Sequence, residues 1–555
     1  MRFLASTLLI VCLVGMNALY GQKPYYSDYT FSEKDTLRGM LRPERTAYDV
    51  HYYQLLLDLD LEQRSIDGSV DMHFTATDTF SRLQVDLFEN MQIDEIRFAG
   101  KTCTYERVFD AVFIDLPPQE IGQKGIIQIS YHGRPVVARR APWDGGFVFQ
   151  TDLNGKPWVG VACEGDGASL WWPNKDHLSD EPDSMLIQVI IPENLFCVAN
   201  GNLREEVPVT GGKKRFDWFV SYPINNYNVT INIGDYVHFG ETYKASDGTT
   251  MPLDYYVLRQ NEEVARKHFK QVPETLACFE QYFGKYPFWE DGYALVETPY
   301  LGMEHQGAIA YGNKYTRGYL GGMIPKDMNW DYIIVHETGH EYFGNSVSCV
   351  DHAEMWIHES FTTYMEALFV ECKYGYADAV RYLESQRPFI QNLQPIVAPL
   401  NVNFTRWKSS DHYFKGSWVL HTLRHAIQDD ELWFAILKGF YEEYAYSPTI
   451  TEDFINYVNQ ETGKNFGPFF EQYLYHPRIP KLIYTLEQSG QDLKVEYKWL
   501  ASTPDFDMPI LFGEADNYRL VYPETGDFKT IYLEDLREGD FRIATDLFLV
   551  NARRQ

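Results

Sequence analysis

From about Tyr48 to Val237 the chain alternates apolar and polar residues: Val70, Met72 and Phe74 interleave with Asp71, His73 and Thr75, and Leu83, Val85 and Leu87 flank Gln84 and Asp86. Successive strand side chains point to opposite faces, so this spacing predicts a half-buried antiparallel β domain. From about Val264 to Tyr475 the apolar positions take helical spacing instead, as in "GSWVLHTLRHAI" and "DELWFAILKGFYEEY". That predicts a mostly helical domain, with Thr451 placed to cap the helix "EDFINYVNQ". After "HPRIPK" the alternation returns with Leu482, Tyr484 and Leu486, then Leu493, Val495, Tyr497 and Trp499, and Ser489 with Gly490 makes the turn between them. No internal repeat or low-complexity tract interrupts this order. The expected organisation is multidomain α+β: a leader at 1–21, an N-terminal antiparallel β domain at 22–243, a helical domain at 244–478 and a small C-terminal β-sandwich-like module at 479–555.

Composition narrows the class. With 555 residues, 45% hydrophobic and 16% aromatic, the chain can bury more than one core. Its 49 Lys and Arg against 78 Asp and Glu give a net charge of −29, which repels nucleic acid and anionic membrane. The first residues, "MRFLASTLLIVCLVGMNALYG", carry a basic Arg2 and an apolar run from Leu8 to Val14, the layout of a secretory signal peptide. That run falls short of the ~20 residues needed to span a bilayer, so an exported protein, periplasmic or extracellular, is expected, with no integral membrane segment after its removal. Cys12 follows Val11, which argues against lipid anchoring. The remaining cysteines (Cys103, Cys163, Cys197, Cys278, Cys349, Cys372) lack C-x-x-C spacing and are expected to be buried small hydrophobes without bridges.

The candidate chemistry lies in the helical region, in "VHETGHEYFGNS" (residues 335–346). Pro325 and Asp327 mark a helix start, and Gly344 with Asn345 marks a stop. His336 and His340 then share one helix face, where two imidazoles can reach a single zinc ion at ~2.0–2.1 Å with Glu337 beside the metal. Gly339 costs the helix roughly 1 kcal/mol against alanine, so the close approach of another backbone is expected there. A bare H-E-x-x-H arises by chance and needs a third ligand. Glu359, nineteen positions after His340 on a second helix that ends at Gly375, supplies one. Two imidazoles, one carboxylate and one open position make a catalytic rather than a structural zinc set. His352 and His358 have no spacing reason to ligate and are expected in surface or packing roles.

These residues, read as "HETGHEYFGNS…WIHESFTTYMEA", resemble the gluzincin aminopeptidases of the aminopeptidase N and leukotriene hydrolase type. The resemblance places His336, His340 and Glu359 on the zinc positions and Glu337 on the general base, with one Zn2+ per chain. "LGMEHQGAIAYG" is similar to the family's Gly-x-Met-Glu-Asn loop, covering Gly302 and Met303 and putting Glu304 on the carboxylate that grips the substrate's free amine. "VACEGDGASLWWPNKDH" is similar to its Gln-Cys-Glu-Ala segment, which makes Glu164 a second amine-binding carboxylate. "HYFKGSWVL" is similar to its Tyr-x-Lys-Gly motif, which makes Tyr413 the tyrosine that steadies the transition state. Glu366, seven residues after Glu359, matches a carboxylate that orients a ligand. Two positions depart from the pattern: His305 replaces Asn and Ala162 replaces Gln.

The resemblance implies a thermolysin-like zinc domain in the helical region and an aminopeptidase acting on peptides with a free N-terminus. The alternatives are a thermolysin-like endopeptidase, a leukotriene-hydrolase-like epoxide hydrolase and an inactive peptide-binding module. The chain ends soon after the β module, so the long helical C-terminal domain of many members is expected to be absent, leaving the site open on one side or covered by a partner. Oligomeric state is not defined by the sequence. Asn228 and Asn403 stand in Asn-x-Thr sequons that matter only in a glycosylating host.

Overall fold

The computed structural model describes residues 25–514 and 517–555; the expected leader, including Cys12, lies outside the described residues. An eight-stranded sheet organises the N-terminal domain. Tyr48–Asp60 pairs antiparallel with Ser65–Ala76, setting Leu55 opposite Val70 and Tyr53 opposite Met72. The alternating residues Leu55, Leu57, Val70, Met72 and Phe74 are buried, as their period of two requires. One pairing corrects the expectation of a purely antiparallel domain: Tyr48–Asp60 runs parallel to Ser184–Pro192. The long stretch between those strands provides the crossover that a parallel pair needs. A smaller sheet sets Pro157–Ala162 between Gly146–Thr151 and Ile231–Gly234, and that strand runs directly toward Glu164.

The next sheet has five strands in the spatial order Tyr236–Lys244, Thr250–Leu258, Tyr293–Glu297, Ile309–Tyr311 and Gly302–Met303. The expected boundary at 243/244 therefore falls at the end of its first strand. Helices Gln271–Phe283, Tyr332–His340, Trp356–Tyr374, Tyr376–Gln386 and Phe414–Ile427 build the domain that follows. The first histidine helix starts later than Pro325 and Asp327 suggested. Its cap is Asp331, whose carboxylate accepts from the backbone N–H groups of Ile333 and Ile334, whereas Asp327 pairs with Arg381 at the surface. Thr451 likewise is the first helical residue of Thr451–Thr462 and not its cap; its N–H donates to buried Glu354 at 2.8 Å.

The cysteines require a second correction. Cys278 and Cys372 form a disulfide across 94 residues of sequence, while Cys163, Cys197 and Cys349 are buried free thiols and Cys103 is half-buried. The packing of Gln271–Phe283 against Trp356–Tyr374 brings the two together, a contact that spacing in the sequence does not reveal.

Two small sheets make the C-terminal module. Tyr497 of one packs edge-on against Phe512 of the other, with ring centroids 5.1 Å apart. Ser489 pairs with Asp492, so the turn is Gly490–Gln491, one residue on from the expected turn, with Gly490 at φ +66°. Tyr473 donates to the Leu549 carbonyl at 2.8 Å and Leu549 N–H to Thr422 Oγ1 at 2.8 Å, tying the module to the helices. Among the described residues, no helix is long and apolar enough to cross a membrane.

Candidate active site

Every residue of helix Tyr332–His340 is buried, which places His336 and His340 in the interior and facing helix Trp356–Tyr374. His336 Nε2 and His340 Nε2 are 3.1 Å apart, and Glu359 Oε2 lies 3.6 and 3.4 Å from them. Ligands bound to a tetrahedral ion at ~2.0–2.1 Å sit about 3.3 Å from one another, so this triangle has the dimensions of a zinc site. The other ring nitrogens are engaged. His336 Nδ1 is 2.6 Å from Glu366 Oε1, and Glu366 Oε2 accepts from Tyr382. His340 Nδ1 faces the Phe343 carbonyl at 3.0 Å and Thr362 Oγ1 at 3.2 Å. In their neutral form both imidazoles carry the proton on Nδ1, toward Glu366 and the Phe343 carbonyl, and turn their Nε2 lone pairs inward. Burial favours a neutral Glu359, yet the imidazoles beside it hold its carboxyl well below the usual range. The donors and their tautomers fit a zinc ion.

Two glycines let the helices come this close. A Cβ on Gly339 would stand 3.0 Å from Thr362 Cγ2 and 3.7 Å from Met365 Cβ. Side chains of the second helix, not another backbone, are what approach, which corrects the sequence expectation. Gly416 is tighter still: a Cβ there would fall 1.6 Å from Ser360 Oγ and 2.5 Å from Ser360 Cβ, immediately after Glu359. The glycine of "HYFKG" therefore seats the third helix against the second. Its lysine, Lys415, points away, with Nζ donating to the carbonyls of His476 and Pro477 at 2.9 and 3.0 Å.

Tyr413 closes the start of that third helix, its ring stacked on His336 with centroids 6.0 Å apart. Burial first, and then the charges of Glu359, Glu164 and Glu304, push its hydroxyl well above the ordinary tyrosine value, so it remains an O–H donor. Glu337 is buried against the loop that carries Gly302. A Cβ on Gly302 would lie 2.6 Å from Glu337 Oε1, so only glycine lets the loop rest on this carboxylate. Burial pushes Glu337 up to about 8, opposed by the charges of His336 and His340.

Glu304, Glu164 and His358 bring ligand atoms within 4.8 Å of one another beside the zinc donors, and Glu304, Glu337 and His340 do the same. Glu164 is half-buried, but its Oε1 is enclosed and without a protein partner. Burial first, then the charge of Glu304, raises it well above the usual carboxylate value. Two crowded carboxylates gain by taking a cation between them. Met303 lies with Gly302 on the outermost strand of the five-stranded sheet. His305 is fully buried, and neither ring nitrogen has a protein partner. Burial lowers it to about 3, so the ring is neutral. Ala162 is buried at the end of its strand.

The structure places His358 in the site's wall and His352 in a small enclosed space lined also by Glu164 and Tyr227. Sequence reasoning passed over Tyr227, Thr362 and Tyr382. Thr362 stands one helical turn after Glu359, an offset that carried no signal in itself, while Tyr382 comes from the next helix, Tyr376–Gln386, and Tyr227 from a distant part of the chain.

Two imidazoles on one buried helix, a glutamate from the next and a buried acid between them form a group able to hold a metal ion, with the layout of a catalytic zinc site. Residues 268–473 match the Peptidase family M1 domain. Aminopeptidase N of Lactococcus lactis subsp. lactis is 26% identical over 299 residues, 51% of this chain and 34% of the relative. Aminopeptidase B of Rattus norvegicus is 24% identical over 363 residues, 60% of this chain and 53% of the relative. The chain thus spans about a third to a half of these curated relatives. Among solved structures, the M1 zinc metallopeptidase of Deinococcus radiodurans superposes with a TM-score of 0.64 at 20% identity, covering 78% of this chain and 94% of that one. Legionella pneumophila aminopeptidase A, in complex with aspartic acid, gives 0.76 at 16% identity, covering 92% and 60%.

Proposed function

We propose that this chain is an exported, zinc-dependent aminopeptidase that removes residues from the free N-termini of peptides. The observation that carries the reading is the placement of Glu164 and Glu304 beside His336, His340 and Glu359. A peptide's α-amine, with pKa ~8, is largely protonated at neutral pH, and a carboxylate pair at one end of the cleft fixes it so that the first peptide bond meets the zinc donors. A zinc ion held there supplies Lewis acidity toward the scissile carbonyl and toward water. Glu337, buried beside the zinc donors, is placed to accept water's proton and return it to the leaving amine. Tyr413 keeps its proton and donates to the oxygen on which charge develops. The edge strand Gly302–Met303 offers backbone groups along which an extended peptide can lie. A variant of the Deinococcus peptidase is seen with a Tyr-Ser-Ala substrate, chemistry of the same kind. Export is supported by the leader-like residues 1–21 and agrees with the Cys278–Cys372 disulfide, since oxidising compartments preserve such bonds.

The test is a panel of free and N-acetylated aminoacyl substrates, with and without a chelator, on wild type and Glu304→Gln. Expected are loss of activity with the chelator, slow turnover of acetylated substrates, and a sharp drop in free-amine hydrolysis by Glu304→Gln at unchanged zinc content. Rapid internal cleavage of blocked peptides would sink the reading in favour of an endopeptidase.

A further inference from the structure

Tyr227 belongs to the N-terminal β domain, in the short turn Asn226–Asn228, yet its hydroxyl donates to Glu304 Oε1 at 3.1 Å. His358, next in sequence to Glu359 and fully buried, sets Nδ1 at 3.5 Å from the same hydroxyl. Its Nε2 lies 2.8 Å from the backbone nitrogen of Cys349. A backbone N–H only donates, so Nε2 is the accepting nitrogen and the imidazole proton sits on Nδ1. The direction then propagates along the row. Cys349 N–H donates to His358, His358 Nδ1–H to the Tyr227 oxygen, and Tyr227 O–H to Glu304. Glu304 ends the row as an acceptor.

The backbone of Glu304 is held by a second, independent strut. Asn228 Nδ2 donates to Asn345 Oδ1 at 2.8 Å, and Asn345 Nδ2 to the Glu304 carbonyl at 2.7 Å. Asn200 Nδ2 bridges the carbonyls of Asn228 and Gln306 at 2.9 Å each. Asn228 is thus buried in the junction between the β domain and the substrate loop, although its sequence reads as a sequon.

We propose that Tyr227 and His358 are positioning residues that aim the Glu304 carboxylate, with its second oxygen left for the substrate's α-ammonium. The inference rests on the aminopeptidase reading and deepens it: the N-terminal β domain reads the amine through Tyr227 as well as through Glu164. A merely structural role for Tyr227 would weaken every ligand of the cleft alike, whereas an aiming role weakens only those that carry an amine.

The full chain, zinc-loaded, with Tyr227→Phe is therefore assayed on alanine p-nitroanilide and with a hydroxamate inhibitor that has no α-amine. A hydrogen bond to a charged group sets the expectation of a KM raised about tenfold, with kcat within about twofold. Zinc content and the hydroxamate Ki stay at wild-type values. His358→Leu reproduces this pattern, and His358→Gln, which keeps an acceptor and a donor, restores most of the affinity. An unchanged KM in Tyr227→Phe, or a hydroxamate Ki that rises in parallel, overturns the proposal while the aminopeptidase reading stands. A wild type that cleaves acetylated and free substrates equally overturns both.

Discussion

The metal-holding group of the site and the carboxylates proposed to hold the amine are built by opposite means. His336, His340, Glu359 and Glu366 ride on two adjacent helices whose spacing repeats along the chain; Gly339 sets how closely those two pack, and Gly416 seats a third helix, Phe414–Ile427, against the second. Glu164, Glu304, Tyr227 and His358 come from a strand end, a sheet-edge loop, a short turn and a helix; Tyr227 joins Glu304 and His358 by hydrogen bonds between segments up to 131 residues apart, and Glu164 stands beside them without such a bond. A helical pair tolerates change in its surroundings because its geometry is largely local. A site gathered from four segments depends on every interface that holds them.

The largest contrast is expected from Glu337→Gln, which removes the proton carrier but neither a zinc donor nor an amine contact. Turnover falls by ~10²–10⁴-fold with KM and zinc content near wild type, as steady-state kinetics and metal analysis would show. An equal rise in KM would mean that the two halves are not separable. Next is Gly416→Ala, whose new methyl group overlaps Ser360. Overpacking of this kind costs typically ~1–3 kcal/mol, so thermal melting and zinc titration should both weaken, and Ser360→Gly in the same chain should recover them. A Gly416→Ala protein that melts like wild type would show that the helices are free to separate.

A third effect carries the comparison away from the site. Glu354 is buried and accepts from Thr451 N–H, and burial, only partly offset by that bond, raises it to about 7. Its folded value lies above the unfolded one, so its contribution to stability is fully present below about pH 4.5 and is lost as pH rises through 7, on the order of 3 kcal/mol. Glu354→Gln keeps the acceptor and removes the titration. The melting temperature of wild type should therefore fall more steeply between pH 5 and 8 than that of the variant; parallel curves would rule this out.

The grouping of His336, His340 and Glu359 was legible because helical spacing constrains it: residues four apart share a face, and a carboxylate one connection later can return to it. The three-part architecture was legible for the same reason, through a period that changes from two to helical and back. Spacing was silent where partners meet across sequence. It predicted neither the Cys278–Cys372 bridge nor the parallel pairing of Tyr48–Asp60 with Ser184–Pro192, and it read His358 as a bystander. It also misplaced the start of the histidine helix by favouring Asp327, because a cap is defined by which N–H groups a carboxylate can reach and Asp331 is the one that reaches them.

By itself, then, the sequence determined the order of the domains, the faces of the helices and the residue types able to hold a zinc ion, all of which follow from local periodicity. Only the tertiary structure decided that Gly339 and Gly416 are contact points between helices. Only it decided that a tyrosine of the β domain ends on Glu304. Those outcomes depend on distances between segments far apart in the chain, which the free energy of packing selects and local periodicity does not encode.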